Sequence, residues 1–170
     1  MSGILQLVKK LHDPPLVMGI LNVTPDSFFD GGRYTNLSDA LRQAESMIEA
    51  GADVIDVGGE STRPGAAPVT ESEELSRVMP VVEAIRQRFP IPLSVDTSTP
   101  SVMRAALTLG VEVINDVRAL TREGALSACA DGDGYIVLMH MQGTPATMQR
   151  DPTYADLFGE INQFFEDRIS

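Results

Sequence analysis

With 170 residues, 43% of them hydrophobic, the chain is long enough to bury one sizeable core and is expected to form a single domain over 1–170. Twenty-four acidic against 13 basic residues give a net charge of -11, which argues against a nucleic-acid partner and against an anionic membrane surface. Cys129 is the one cysteine and His12 and His140 are the two histidines, so an internal disulfide, a thiolate metal cluster and a structural zinc site are not expected.

The apolar run Ile4 to Val8, followed by Lys9 and Lys10, is too short and wrongly flanked for a signal peptide. Nothing approaches a membrane span, so a cytoplasmic protein is expected. The stretch "LVMGILNVTPDSFFDGG", Leu16 to Gly32, is apolar from Val17 to Leu21 and then turns to Asn22, Thr24, Asp26 and Ser27. A continuous apolar run of this length reads as a parallel strand covered on both faces. Leu37, Leu41, Ala44 and Ile48 then repeat at helical spacing, with Gly51 as the C-terminal stop. "ADVIDVGGESTRPGA" is a second strand running through Val57, followed by a Gly-rich loop.

Thr70 and Glu73 have the spacing of a capping box opening a second helix, and Arg86 and Arg88 suit its negative end. Pro80 lies inside that segment and is expected to kink or split it. "IPLSVDTSTP" is a third strand ending at Asp96. Thr99 and Pro100 form an N-cap and N1 pair for the helix after it, which Gly110 closes. "VEVINDVRAL" ends its strand at Asn115 and Asp116, and a weaker helix follows near Arg122 to Ala130. "YIVLMHMQGTP" is a fifth strand reaching His140 and Gln142. Last, Tyr154 to Ser170 reads as a helix with Leu157, Phe158, Ile161, Phe164, Phe165 and Ile169 on one side.

Strand and helix alternate five times without a linker, which means α/β. A doubly wound sheet and part of an eight-fold barrel both fit this order, and both place ligands at the carboxyl ends of the strands. A doubly wound sheet concentrates its site at one switch point, whereas here all five strand ends carry polar groups. That favours a ring of strands around one mouth. A barrel of about 250 residues uses roughly 30 per unit, so five units account for this length. The expected fold is therefore a TIM-type (β/α)8 barrel of which about the first five βα units are present, the carboxyl-terminal units being absent.

"GILNVTPDSFFDGG", "IDVGGESTRPGA", "SVDTSTPSVMRAA", "INDVRAL" and "LMHMQGTPATMQ", in this order and spacing, resemble the dihydropteroate synthase family of bacterial folate biosynthesis. The resemblance implies a transferase that joins 6-hydroxymethyl-7,8-dihydropterin pyrophosphate to p-aminobenzoate, releases pyrophosphate and uses magnesium. It also implies a barrel, in agreement with the reading from the strand pattern. Matched to the family's motifs, Asp96 and Asn115 would bind the pterin, Asp96 also offsetting positive charge as the carbon–oxygen bond breaks. Asn22 would hold Mg2+ through its carboxamide oxygen, a hard neutral ligand.

Thr62 matches a contact to the pterin pyrophosphate and Arg63 an anion site, while Ser61 and Pro64 lie where the family binds p-aminobenzoate. The loop from Thr24 to Gly32 would close over the site, with Phe28 and Phe29 as apolar cover. Asp56 faces the mouth and ranks behind these residues. His140 is read as structural, because the amine of p-aminobenzoate is already nucleophilic. Asp116 and Arg118 are read as equally able to form a structural pair.

The family's later motifs do not occur: an Asp-Pro-Gly strand, a Ser-Arg-Lys segment and a final Arg-x-His. Half the pterin clamp and most of the anion pocket are therefore unassigned, and the fragment alone is expected to be inactive. The helices that pair subunits in the family lie largely past Ser170. A homodimer is therefore an expectation for the full-length family rather than for this chain. Two other readings fit less of the sequence. A methyltetrahydrofolate-corrinoid methyltransferase shares a pterin-binding barrel but has no use for the "STRPGA" and "TPDSFFDGG" loops. A non-catalytic truncated gene product accounts for the missing end alone.

Overall fold

The computed structural model describes residues 15–24, 33–60, 69–130 and 132–169, with backbone alone for 33–36. Among them strands and helices alternate: β1 (Met18–Asn22), α1 (Arg33–Glu49), β2 (Val54–Gly58), α2 (Glu71–Arg88) and β3 (Leu93–Asp96). The second half continues with α3 (Pro100–Thr108), β4 (Val113–Asp116), α4 (Ala125–Ala130), β5 (Tyr135–Leu138) and α5 (Leu157–Ile169). All strand pairs are parallel, and the sheet order is β1-β2-β3-β4-β5. Each strand adds beside its predecessor with no reversal. A doubly wound sheet reverses at its switch point, so the order is that of a barrel wall, and the α/β fold is five consecutive βα units of the TIM type.

Side chains alternate between the two faces of a strand, and the register sorts them. Leu21, Val57, Val95 and Ile114 occupy neighbouring places on one face, and all are buried. They form one cluster with Val78, Val82 and Ile85 of α2 and Val102, Met103 and Ala106 of α3. This is the core, laid between sheet and helices. On the opposite face Val54 and Val113 make a small separate apolar cluster.

The expectation that every strand is covered on both faces holds only in the middle of the sheet. β2 is buried at all five positions, but β1 leaves Ile20 52% exposed and β5 leaves Val137 44% exposed. Among the described residues these two strands each have a single neighbour in the sheet, so their side chains on the helix-free face lack flanking cover.

The helix signals are largely realised. Gly51 and Gly110 end their helices at φ of 99° and 77°, where a β-carbon would be strained. The capping box forms, with Glu73 N–H donating to Thr70 Oγ1 at 3.4 Å and Thr70 N–H to Glu73 Oε2 at 3.0 Å. Pro80 does not split α2, which runs unbroken from Glu71 to Arg88. Buried Val78, Val81, Val82 and Ile85 bracket the proline and hold both halves against the sheet.

Thr99 does precede Pro100, but its hydroxyl makes no cap bond; it donates to Glu74 Oε2 at 2.5 Å and accepts from Arg122 Nη1. α5 begins at Leu157, not Tyr154, and no residue in it is buried. Its Phe164 ring meets His140 edge-on at 4.9 Å between centroids, which places His140 in an aromatic cluster. No helix among the described residues is long and apolar enough to cross a membrane.

Candidate functional site

Parallel pairing brings the ends of four strands to one level. Asn22 lies opposite Gly58, Gly58 opposite Asp96, and Asp96 opposite Asn115. The row lies on the helix-free face, and three of its four members are the residues singled out from sequence. The fourth, Gly58, makes room. A β-carbon there would stand 3.6 Å from Asp96 Oδ2 and 3.7 Å from Asn22 Oδ1. Any side chain at Gly58 would therefore occupy the space that both oxygens border.

Asp96 is only partly exposed, and its carboxyl is pushed up to about 7. Burial is the main cause, reinforced by the negative charges of Asp56, Asp116, Glu74 and Glu60. Near neutrality it can thus accept as a carboxylate or donate as an acid. That range suits a group facing a polar ring edge or a developing charge.

One step deeper along the strands, on the same face, Asp56 lies opposite Ser94. Both are buried, Asp56 to 2% exposure. Asn115 Nδ2 donates to Asp56 Oδ2 at 3.0 Å, joining the deeper row to the upper one. Burial raises the Asp56 pKa, and the neighbouring Ser94 and Asn115 side chains act against it. Asp56 Oδ1 and Ser94 Oγ are buried without a hydrogen-bond partner in the described protein. Sequence reasoning placed Asp56 behind the others; its even spacing from Gly58 was the signal that puts it on the ligand face.

The loops after these strands are tied down by residues that sequence reasoning missed. Glu74, buried at the start of α2, accepts from Thr97 Oγ1 and Thr99 Oγ1, each at 2.5 Å. Arg122 Nη1 adds a bond to Thr99 Oγ1 at 3.0 Å. The loop directly after Asp96 is thereby fixed from behind. An acid at an otherwise apolar helix position, four residues before Val78, was the available signal.

Asp116 and Arg118 do not pair through their side chains. Asp116 faces the helices and accepts from Ser98 Oγ, from Arg118 N–H at 2.9 Å and from Leu120 N–H at 2.7 Å. Those bonds hold a turn in which Ala119 and Leu120 both take positive φ, at 51° and 58°. The Arg118 guanidinium instead reaches Glu60 at 3.4 Å and Ser98 Oγ at 3.0 Å. It pairs there because the Asp116 carboxylate is already filled by backbone donors.

Phe28, Ser61, Thr62, Arg63 and Pro64 lie outside the described residues, as does the loop around Phe29. No group of three His, Cys, Asp or Glu among the described residues could hold a metal ion by itself. The oxygens of Asn22 and Asp96 bordering the Gly58 space are nevertheless hard donors of the kind magnesium takes. They fit an ion completed by substrate oxygens and water better than one caged by protein.

A family model described as "Pterin binding enzyme" matches residues 18–170. Dihydropteroate synthase of Escherichia coli (strain K12) is 58% identical over 156 residues, 92% of this chain and 55% of the relative. The Synechocystis sp. enzyme of the same name is 47% identical over 154 residues, 90% of this chain and 53% of that one. Among solved structures, Yersinia pestis dihydropteroate synthase with a sulfonamide drug complex superposes with a TM-score of 0.83 at 57% identity, covering 91% of this chain and 56% of that chain. Xanthomonas albilineans dihydropteroate synthase with 4-aminobenzoic acid gives 0.81 at 50% identity, covering 92% and 55%. The chain spans about half the length of the curated relatives it matches. With the family model covering all five βα units, the chain belongs to the pterin binding enzymes.

Proposed function

We propose that this chain is the amino-terminal part of a dihydropteroate synthase and carries half of its pterin clamp. The reaction joins 6-hydroxymethyl-7,8-dihydropterin pyrophosphate and p-aminobenzoate into 7,8-dihydropteroate and pyrophosphate. The observation that carries the proposal is the row Asn22, Gly58, Asp96 and Asn115. A pterin presents ring N–H, amino and carbonyl groups along one edge, and burying that edge requires matched partners. Asp96 and Asn115 supply them on adjacent strands.

The aniline nitrogen attacks the methylene carbon, the carbon–oxygen bond to pyrophosphate breaks, and the nitrogen loses a proton to water. Positive charge developing on the pterin side is offset by Asp96 in its ionised form. The crowd of acids around Asp96 adds to that field. Asn22 would hold Mg2+, which when bound neutralises charge on the departing pyrophosphate. Thr62 and Arg63 would receive the pyrophosphate, Ser61 and Pro64 the aminobenzoate, and Phe28 would cover the bound acid. A cytoplasmic location without nucleic-acid or membrane partners belongs to the same reading, as does a homodimer in the complete enzyme.

The test uses protein expressed from the complete natural gene. It should release pyrophosphate from the two substrates, and Asp96→Asn should abolish release while the folded state survives. Asn22→Ala should raise the magnesium requirement. Corrinoid-dependent methyl transfer, with no pyrophosphate release, would replace this reading with the methyltransferase one.

A further inference from the structure

We infer that Asp56 is a positioning residue that locks the polarity of the Asn115 carboxamide and so selects ligands presenting hydrogen-bond donors. The inference rests on the pterin reading above and names the feature of the ring that the site discriminates. A carboxamide has a donor end and an acceptor end of nearly equal size, and it can turn over in a pocket that tolerates both. Asn115 is held in one orientation by the donation of Nδ2 to Asp56 Oδ2 at 3.0 Å. Turning the amide over would set its oxygen against a carboxylate oxygen, which has nothing to donate. The arrangement leaves Asn115 Oδ1 for the ligand as an acceptor.

The burial of Asp56 gives this lock its stiffness. At 2% exposure the carboxylate has almost no water to turn to, so its orientation is set by the side chains around it. Ser94, opposite it in the register and also buried, lies beside the carboxylate and helps hold its charge. Asn115 donates to the same carboxylate at 3.0 Å. A fixed acceptor at Asn115 beside the adaptable Asp96 favours a ring edge with adjacent N–H and NH2 groups. It disfavours the same ring with carbonyl oxygen in place of the amino group.

The experiment compares binding of pterin and of pteridine-2,4-dione, which exchanges the 2-amino group for a carbonyl. Protein from the complete natural gene is titrated calorimetrically as wild type, as Asp56→Asn and as the double variant Asp56→Asn/Asn115→Asp. Wild type should prefer pterin. Asp56→Asn keeps the shape but can donate or accept, so Asn115 is freed to turn and the preference should fall by about tenfold. The double variant restores one donor facing one carboxylate, with an acceptor left for the ligand, and should recover most of the preference.

A merely structural role would weaken both ligands alike and would not be rescued by the exchange. An unchanged preference in Asp56→Asn overturns the inference while leaving the pterin reading intact. A wild type that binds neither ring overturns both. If Asp56→Asn alone proves insoluble, the double variant decides: a lost preference in a folded protein counts against the lock.

Discussion

The middle of the sheet and its two margins use similar residues to opposite ends. In β2, β3 and β4 apolar side chains are buried on the helix side, while the other side buries Asp56 and Ser94 and half-buries Asp96 and Asn115. In β1 and β5 apolar side chains are left open on that same side, at Met18, Ile20, Tyr135 and Val137. Strands flanked on both sides can hold acids out of water, because neighbouring strands and loops supply donors and exclude solvent. Singly flanked strands cannot. Gly58, Asp96 and Asn115 of the row lie on the doubly flanked strands, while Asn22 lies on β1, which has one neighbour among the described strands.

The sharpest way to break that contrast is to truncate one isoleucine in each region. Ile114 in β4 is fully buried, whereas Ile20 in β1 is 52% exposed. Ile114→Ala should cost about 2–5 kcal/mol, the range for emptying a closed core site. Ile20→Ala should cost less than about 1 kcal/mol. Urea unfolding of residues 1–170 measures both. Equal losses would mean that β1 is packed as tightly as the centre, and the division would fall.

How legible this division was depends on the range of the interaction. Helix boundaries that rest on local chemistry, such as the Thr70–Glu73 box and the glycines at 51 and 110, could be read from a few adjacent residues. So could the polar strand ends at Asn22, Asp96 and Asn115, because each follows an apolar run. Glu74's spacing from Val78 signalled its burial, but its partners could not be read, since Thr97 and Thr99 are more than twenty residues away and meet it only through packing. The open Asp116–Arg118 pairing does not form for a related reason: Ser98 and backbone donors fill the Asp116 carboxylate, and Glu60 stands across the loop. Exposure on β1 and β5 was legible at the level of the fold, because five units of an eight-unit barrel leave the first and fifth strands with one neighbour each.

A smaller effect tests the claim that the centre carries its acids at a penalty. Asp96 has a folded pKa of about 7, above its ordinary 3.8, so the folded chain holds the proton more tightly than the unfolded one. Its contribution to folding is complete below about pH 4 and is lost as pH rises towards 7. Asp96→Asn removes both the charge and this dependence. The variant should match its parent near pH 4 and exceed it at about pH 8 by on the order of 2 kcal/mol, allowing for partial exposure. Melting curves at the two pH values decide it. A variant less stable than its parent at the higher pH would show that Asp96 is a structural cap and not a residue held ready for a ligand.

The smallest effect belongs to the far margin. Phe158 on α5 is 77% exposed, while Phe164, one and a half turns on, is half-buried and lies edge-on against His140 at 4.9 Å. Phe165 also approaches Phe164, at 5.3 Å between ring centroids. Phe158→Gln exchanges an exposed ring for a good helix former, so the change in unfolding free energy should stay within about 0.5 kcal/mol. Phe164→Gln breaks the ring contacts that tie α5 to the segment after β5, and should cost about 1 kcal/mol or more. Self-association should move the other way. A solvent-facing phenylalanine promotes contact between molecules, so light scattering at raised concentration should fall for Phe158→Gln and not for Phe164→Gln. If Phe158→Gln proves the more destabilising of the two, the outward face of α5 is a packed surface within the chain, and the margin would have to be redrawn to exclude it.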